Sequence, residues 1–275
     1  MAHLFIKLPN KFRQKHQEAI RLYLFDSKKL TKSQWQTTFE AFDLLKNATA
    51  QQGATVYTFR RLYSLLVDKV YANPFLKRVQ TMSHPEREGA ALQAALAHKI
   101  VSQLSQSGWF DYQNVPLSVY LRAYCTYWWD SFAKGYLFEI VIYRSLEQSG
   151  VRFWAHDVTD STQRYMPYDL IVSGWQGDIR TSTYFLFTTR TQTLKHAFYI
   201  TRLWHRYRRK RVWAVVMQPN FWATIDGDTQ IVKLSQAAER FPAVSQVNPR
   251  NQPLIVAEYT VWLTKILRYQ EIYHE

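Results

Sequence analysis

The sequence predicts a mixed α/β (α+β) protein, with an all-helical region over residues 1–130 and, over 131–275, a mixed sheet flanked by helices that closes on a hairpin and a terminal helix. Three observations predict it. Apolar residues recur at helical spacing in the first part, as in Trp35, Phe39, Phe42 and Leu45, and again in Tyr57, Leu62, Leu65, Leu66 and Val70. A helix from about Ser131 to Ser149 then stops at Gly150, and the pattern shortens into β-rich runs at 151–155, 168–173, 178–188 and 212–218. A chain of 275 residues that is 47% hydrophobic also has ample material for a core.

Each element has a local reason. Gln51, Gln52 and Gly53 read as a loop between the first two helical stretches. Ser83, with Pro85 and Glu86 after it, reads as the start of a long helix that continues through Leu104 and ends at Gly108. Gly174, Trp175, Gln176 and Gly177 link two β-runs over a distance that suits a hairpin, so those runs are expected to be antiparallel neighbours. Residues 222–233 read as a second hairpin turning at Asp226, Gly227 and Asp228, and 259–273 as the terminal helix.

Composition narrows the chemistry. The only cysteine, Cys125, rules out an intramolecular disulfide and sits among aromatics as a small core residue. No apolar stretch approaches the roughly 20 residues that span a bilayer, so a soluble, cytoplasmic protein without a membrane partner is expected. Eight glycines form no phosphate-binding loop, and the histidines fall in no local metal-ligand spacing. The net charge of +14 points to polyanions, because lysine and arginine neutralise phosphates and release counterions.

That charge is densest between Lys195 and Arg211, where Lys195, Arg202, Arg206, Arg208, Arg209, Lys210 and Arg211 occur without an acid and with Trp204, His205 and Tyr207 interleaved. Guanidinium groups suit phosphate oxygens and flat aromatics can stack on bases, so these seven are the expected nucleic-acid contacts, DNA being the favoured form. Oligomeric state is left open, with a homodimer among the options.

Glu139 is the only charged residue between Gly135 and Tyr143, and its helical neighbours Phe138, Ile142 and Leu146 are apolar. Its carboxylate is therefore expected in a packed interior, where it needs a proton, an ion pair or a cation. The expected hairpin brings Asp169 and Asp178 towards one sheet edge. Two such charges repel, and a hard divalent cation relieves them. Asp157 and Asp160, beside Thr159, Ser161 and Thr162, read instead as a solvated loop.

The order Gly135-x-x-Phe138-Glu139, Leu146, Gly150, Tyr168-Asp169-Leu170-Ile171-Val172 and Gly177-Asp178-Ile179-Arg180 resembles the PD-(D/E)XK nuclease superfamily, whose fold is called restriction-endonuclease-like. The resemblance spans residues 135–217. It implies Mg²⁺- or Mn²⁺-dependent hydrolysis of a phosphodiester, with Glu139, Asp169 and Asp178 as metal ligands and Pro167 close before the first aspartate. Arg180 stands where the family has lysine. Arginine stays protonated and offers a planar fork, so it can clamp a phosphate but cannot assist the attacking water as a lysine does. Two readings follow: an active nuclease in which metal hydroxide suffices or Lys195 reaches in, and an inactive nuclease fold that binds nucleic acid or a partner protein.

Overall fold

A computed structural model describes residues 3–27, 30–160, 162–182, 194–226, 239–242 and 254–273. The chain forms two compact units, Met1–Lys134 and Gly135–Glu275.

The first unit is mainly helical but contains a small sheet. Strands β1 (Leu4–Lys7), β2 (Thr49–Gln52) and β3 (Thr55–Thr58) form an antiparallel sheet in the order β1-β2-β3. The expectation of an all-helical region is thus corrected. The segment read as a loop at Gln51 and Gln52 is a strand, and the chain turns at Gly53, whose φ of 57° suits glycine. Helices α1 (Gln14–Asp26) and α2 (Lys32–Leu45) lie between β1 and β2. Thr31 caps α2 in a reciprocal box with Gln34: the Gln34 amide donates to Thr31 Oγ1 and the Thr31 amide to Gln34 Oε1.

The stretch read as one helix over 57–71 begins two residues later as α3 (Phe59–Tyr63). It passes into a π-helical segment (Ser64–Ala72) and continues as α4 (Asn73–Thr81). Helix α5 (Pro85–Gln106) starts one residue beyond the expected cap: His84 is the N-cap, its amide donating to Glu88 Oε1 at 2.8 Å. Gly108, with a φ of 74°, ends the turn as expected.

Helix α6 (Ser118–Gln148) begins well before the predicted start near residue 131 and runs across the boundary between the units. It ends at Gly150, φ 76°, where the Val151 amide donates to the Leu146 carbonyl.

In the second unit, β4 (Phe153–Ala155), β5 (Leu170–Val172), β6 (Trp175–Arg180), β7 (Phe198–His205), β8 (Lys210–Met217) and β9 (Ile255–Glu258) form one mixed sheet in chain order. Only β6 and β7 are parallel; the other pairs are antiparallel. The expected β5–β6 hairpin is present, with its turn at Ser173 and Gly174 rather than across 174–177. Both turn residues have positive φ, which matches the right-handed twist of the paired strands.

Strand alternation divides this unit into two apolar faces. Ile179, Phe198, Ile200, Val215 and Met217 face one core with Phe138, Ile142 and Leu146 of α6. Helices α7 (Pro219–Asp226) and α8 (Tyr259–Tyr273) complete that layer through Phe221, Trp222, Trp262 and Ile266. Tyr199, Leu203, Ala214 and Val216 face the other side with Phe241 and Val256. Strand β7 is buried on both faces for its first half and was not foreseen as a strand. The hairpin expected over 222–233 is corrected as well: Phe221, Trp222 and Ile225 are buried at helical spacing on α7, and residues 227–233 lie outside the described part. The β-run expected over 178–188 is a strand to Arg180, and residues 183–188 also lie outside the described part. Among the described residues no helix is long and apolar enough to cross a membrane.

Candidate metal centre

Glu139 is buried on α6, with its Oε2 making no hydrogen bond. Tyr143, one turn on, donates from its hydroxyl to the Asp169 carbonyl at 2.9 Å and so ties this part of α6 to the entry of β5. Asp169 precedes β5 by one residue; its amide donates to the Gly177 carbonyl and its Oδ2 accepts the Ile179 amide at 2.7 Å. Oδ1 of Asp178 accepts the same amide at 3.1 Å, so one N–H serves both aspartates. Asp178 lies inside β6 rather than at its start.

The three acids are close, but they are not equivalent. Leu170 and Ile179 face the α6 side of the sheet, so alternation sends Asp169, Asp178 and Arg180 to the other face, where Asp178 is in register with Tyr199. There Arg180 donates from Nε to Asp178 Oδ2 at 2.6 Å, and an Nη nitrogen forms an ion pair with the same oxygen at 2.6 Å. Asp178 is nearly fully buried whereas half of the Arg180 side chain is exposed. Arg180 is therefore engaged by Asp178.

His156, which sequence spacing passed over, takes the remaining place. It follows β4 directly, and its amide approaches the Asp169 carbonyl at 3.5 Å. Its Nε2 stands 3.7 Å from Glu139 Oε2; both atoms are buried, and neither ring nitrogen reaches a partner with hydrogen-bond geometry. One ligand atom from each of Glu139, His156 and Asp169 falls within 4.8 Å of the other two. Asp178 is outside that group.

The electrostatics agree with this arrangement. Burial, and then the charge of Asp178, pushes the Glu139 carboxyl well above the usual carboxylate range, against the pull of Arg180. Asp169 is pushed up by burial and then by Glu139 and Asp178. Burial lowers the His156 pKa despite the nearby carbonyls of Tyr168 and Asp169, which favours the neutral imidazole that can ligate. Two crowded carboxyls and a neutral imidazole with buried, unsatisfied atoms fit a divalent cation, which would relieve the repulsion and use the orphaned donors.

Gly177 shapes the strand crossing beside this group. A Cβ there would stand 2.1 Å from Phe198 Cζ, and Phe198 stacks on Phe221 with centroids 4.9 Å apart. Gly177→Ala is expected to destabilise the unit by about 1 to 3 kcal/mol through overpacking, read as a lower denaturation midpoint at unchanged m-value.

The basic segment is the β7–β8 hairpin, with its loop at Arg206, Tyr207, Arg208 and Arg209. Arg206, Arg209, Lys210 and Arg211 are exposed beside Trp204 and Tyr207. Arg208 is exposed but pairs with Glu258 at 2.8 Å, and Tyr207 donates to Glu239. Arg202 is partly buried and lies over the Phe138 ring at 4.5 Å, so it belongs to the packing between α6 and the sheet. Lys195 is exposed just before β7. The strand end at His205 is six residues past Tyr199, which puts the hairpin tip on the order of 20 Å from Asp178 along the strand. In the loop after β4, Asp157 and Asp160 each accept bonds from a nearby threonine amide and hydroxyl, which accounts for both acids locally. Compared with protein-family models, curated proteins and solved structures, the chain matches none.

Proposed function

We propose that the second unit is a restriction-endonuclease-like core of the PD-(D/E)XK kind that hydrolyses phosphodiester bonds in DNA with a divalent cation, Mg²⁺ or Mn²⁺. The observation that carries this reading is the meeting of Glu139, Asp169 and Asp178 where α6, β5 and β6 come together, with Glu139 and Asp169 both pushed up by burial and by neighbouring carboxylates, Asp178 being common to the two. Glu139 and Asp169 hold the cation, and Asp178 supports the site through the shared Ile179 amide. When bound, such an ion polarises the phosphodiester and lowers the pKa of an attacking water. Arg180 pairs with Asp178 and presents its exposed edge, with donors left over, to a phosphate oxygen. The exposed cations of the β7–β8 hairpin hold the backbone further along, and Trp204 and Tyr207 offer stacking surfaces.

The test is cleavage of supercoiled and linear DNA by the full chain with Mg²⁺ or Mn²⁺, alongside Asp178→Ala. Metal-dependent cleavage lost in the variant is expected; equal cleavage by both proteins sinks the assignment. The double contact of Arg180 on Asp178 favours a second reading, a nuclease fold that binds nucleic acid without cutting it. Tight, salt-sensitive binding with no cleavage in either metal selects that reading.

Both readings share one expectation. Replacing Arg209, Lys210 and Arg211 together with glutamate should weaken DNA binding at least about tenfold near physiological salt. The slope of log affinity against log salt should fall by roughly 3, measured by fluorescence anisotropy. An unchanged slope would remove the hairpin from the interface.

A further inference from the structure

We infer that His156 is a metal ligand, and that Glu139, His156 and Asp169 together form a nitrogen-and-oxygen site that prefers a first-row transition-metal dication to Mg²⁺. Only the metal-binding part of the proposed function is assumed; phosphodiester cleavage is not.

Geometry leads to this site. Bonds of about 2.0 to 2.2 Å to one ion place neighbouring ligand atoms roughly 3 to 4 Å apart. The 3.7 Å between His156 Nε2 and Glu139 Oε2 is too long for a good hydrogen bond and of the right size for two ligands on one ion. The three ligand atoms lie within 4.8 Å of one another, so a small closure completes the set.

Burial makes the arrangement costly without an ion. His156 is 4% exposed and Glu139 8%, and Glu139 Oε2 and both ring nitrogens of His156 are buried without a hydrogen-bond partner. Interiors rarely keep such atoms unless something satisfies them. The backbone fixes the imidazole as well: Ala155 is in register with Leu170, so the next residue out on each strand puts His156 beside Asp169. Asp178 is outside the set whose ligand atoms lie within 4.8 Å of one another, and its Oδ2 is already paired with Arg180.

The donor set then decides the metal. Mg²⁺ favours oxygen ligands and gives up water reluctantly, whereas an imidazole nitrogen binds any first-row transition dication, Mn²⁺ included, better than it binds Mg²⁺. Two carboxylates with one imidazole leave positions open for water or for a substrate oxygen.

The experiment uses the metal-stripped full chain titrated calorimetrically with Mn²⁺ and with Mg²⁺, compared with His156→Phe and His156→Gln. Thermal melts without metal show whether each variant folds. Wild type should bind Mn²⁺ at least about tenfold more tightly than Mg²⁺, and both folded variants should lose about tenfold or more for Mn²⁺ with little change for Mg²⁺. Spin-echo spectra of the Mn²⁺ complex should show a coordinated nitrogen that disappears in both variants. The inference is overturned if Mn²⁺ affinity is the same in wild type and a folded variant, if Mg²⁺ binds as tightly, if no nitrogen couples to the ion, or if no ion binds. Nitrogen coupling without DNA cleavage upholds this site and removes the nuclease reading. Cleavage without nitrogen coupling does the reverse.

Discussion

Arg180→Met is expected to destabilise the second unit by about 2 to 3 kcal/mol, roughly 5 to 10 °C in melting temperature. Asp178 is buried; its Oδ2 accepts the Arg180 Nε bond and is ion-paired with an Nη nitrogen, while Oδ1 accepts the Ile179 amide. Removing the arginine leaves a carboxylate in the interior without its counter-charge. Half of the Arg180 side chain is exposed, so water can enter the space it leaves, which holds the loss at the lower end for broken buried pairs. Adding Asp178→Asn should recover most of the stability, because the neutral amide keeps the shape without the charge. Arg180→Lys should lose less, since one ammonium replaces one of two bonds but keeps the charge. If Arg180→Met melts within a degree of wild type, the pair is not holding this strand.

Asp169→Asn is expected to act oppositely on stability and on function. Metal-dependent cleavage should fall at least about 100-fold, because a ligand is lost. Without metal the variant should be more stable than wild type, by about 1 kcal/mol at pH 8. Asp169 is pushed above the usual carboxylate range by burial, then by Glu139 and Asp178. A carboxyl raised by folding contributes its stability below its unfolded value, about 3.9, and loses it as pH rises towards the folded value. Wild type should therefore lose stability steadily from about pH 4 to pH 8, and the asparagine variant should lack that part of the slope. Near pH 4 the two should melt alike. Adding Mn²⁺ should reverse the order at pH 8 by stabilising wild type alone. A metal-free variant less stable than wild type at pH 8 would show that Asp169 is held for structure and is under no repulsion.

How much of this was legible follows from which residues carried the signal. Helix α2 could be read because Trp35, Phe39, Phe42 and Leu45 mark one face without interruption. The β5–β6 hairpin could be read because glycine sits where the chain reverses, although the turn itself falls at Ser173 and Gly174. The first sheet was hidden because β2 and β3 are four residues each, mostly threonine and glutamine, with Ala50 their one fully buried residue. Strand β7 was hidden for the opposite reason: a central strand covered on both faces does not alternate, and Arg202 and His205 drew attention to its charge. The false hairpin after Trp222 came from weighing Asp226 and Gly227 over the helical spacing of Phe221, Trp222 and Ile225.

The candidate site divides in the same way. Glu139, Asp169 and Asp178 could be named in advance because burial and repulsion give each a need for a partner. His156 could not, because it is distant from Glu139 and Asp169 in the chain and reaches them only through the pairing of β4 with β5. That pairing was the available signal: extending the strand at residues 151–155 by one position beside the next run already sets His156 against Asp169.

The most direct test is a crystal of the full chain grown with Mn²⁺ and measured at the manganese absorption edge. The expected result is one anomalous peak bounded by Glu139, His156 Nε2 and Asp169, with Arg180 still on Asp178. A peak on Asp178 with Arg180 displaced, or no peak near these residues at saturating Mn²⁺, would contradict the metal centre described here.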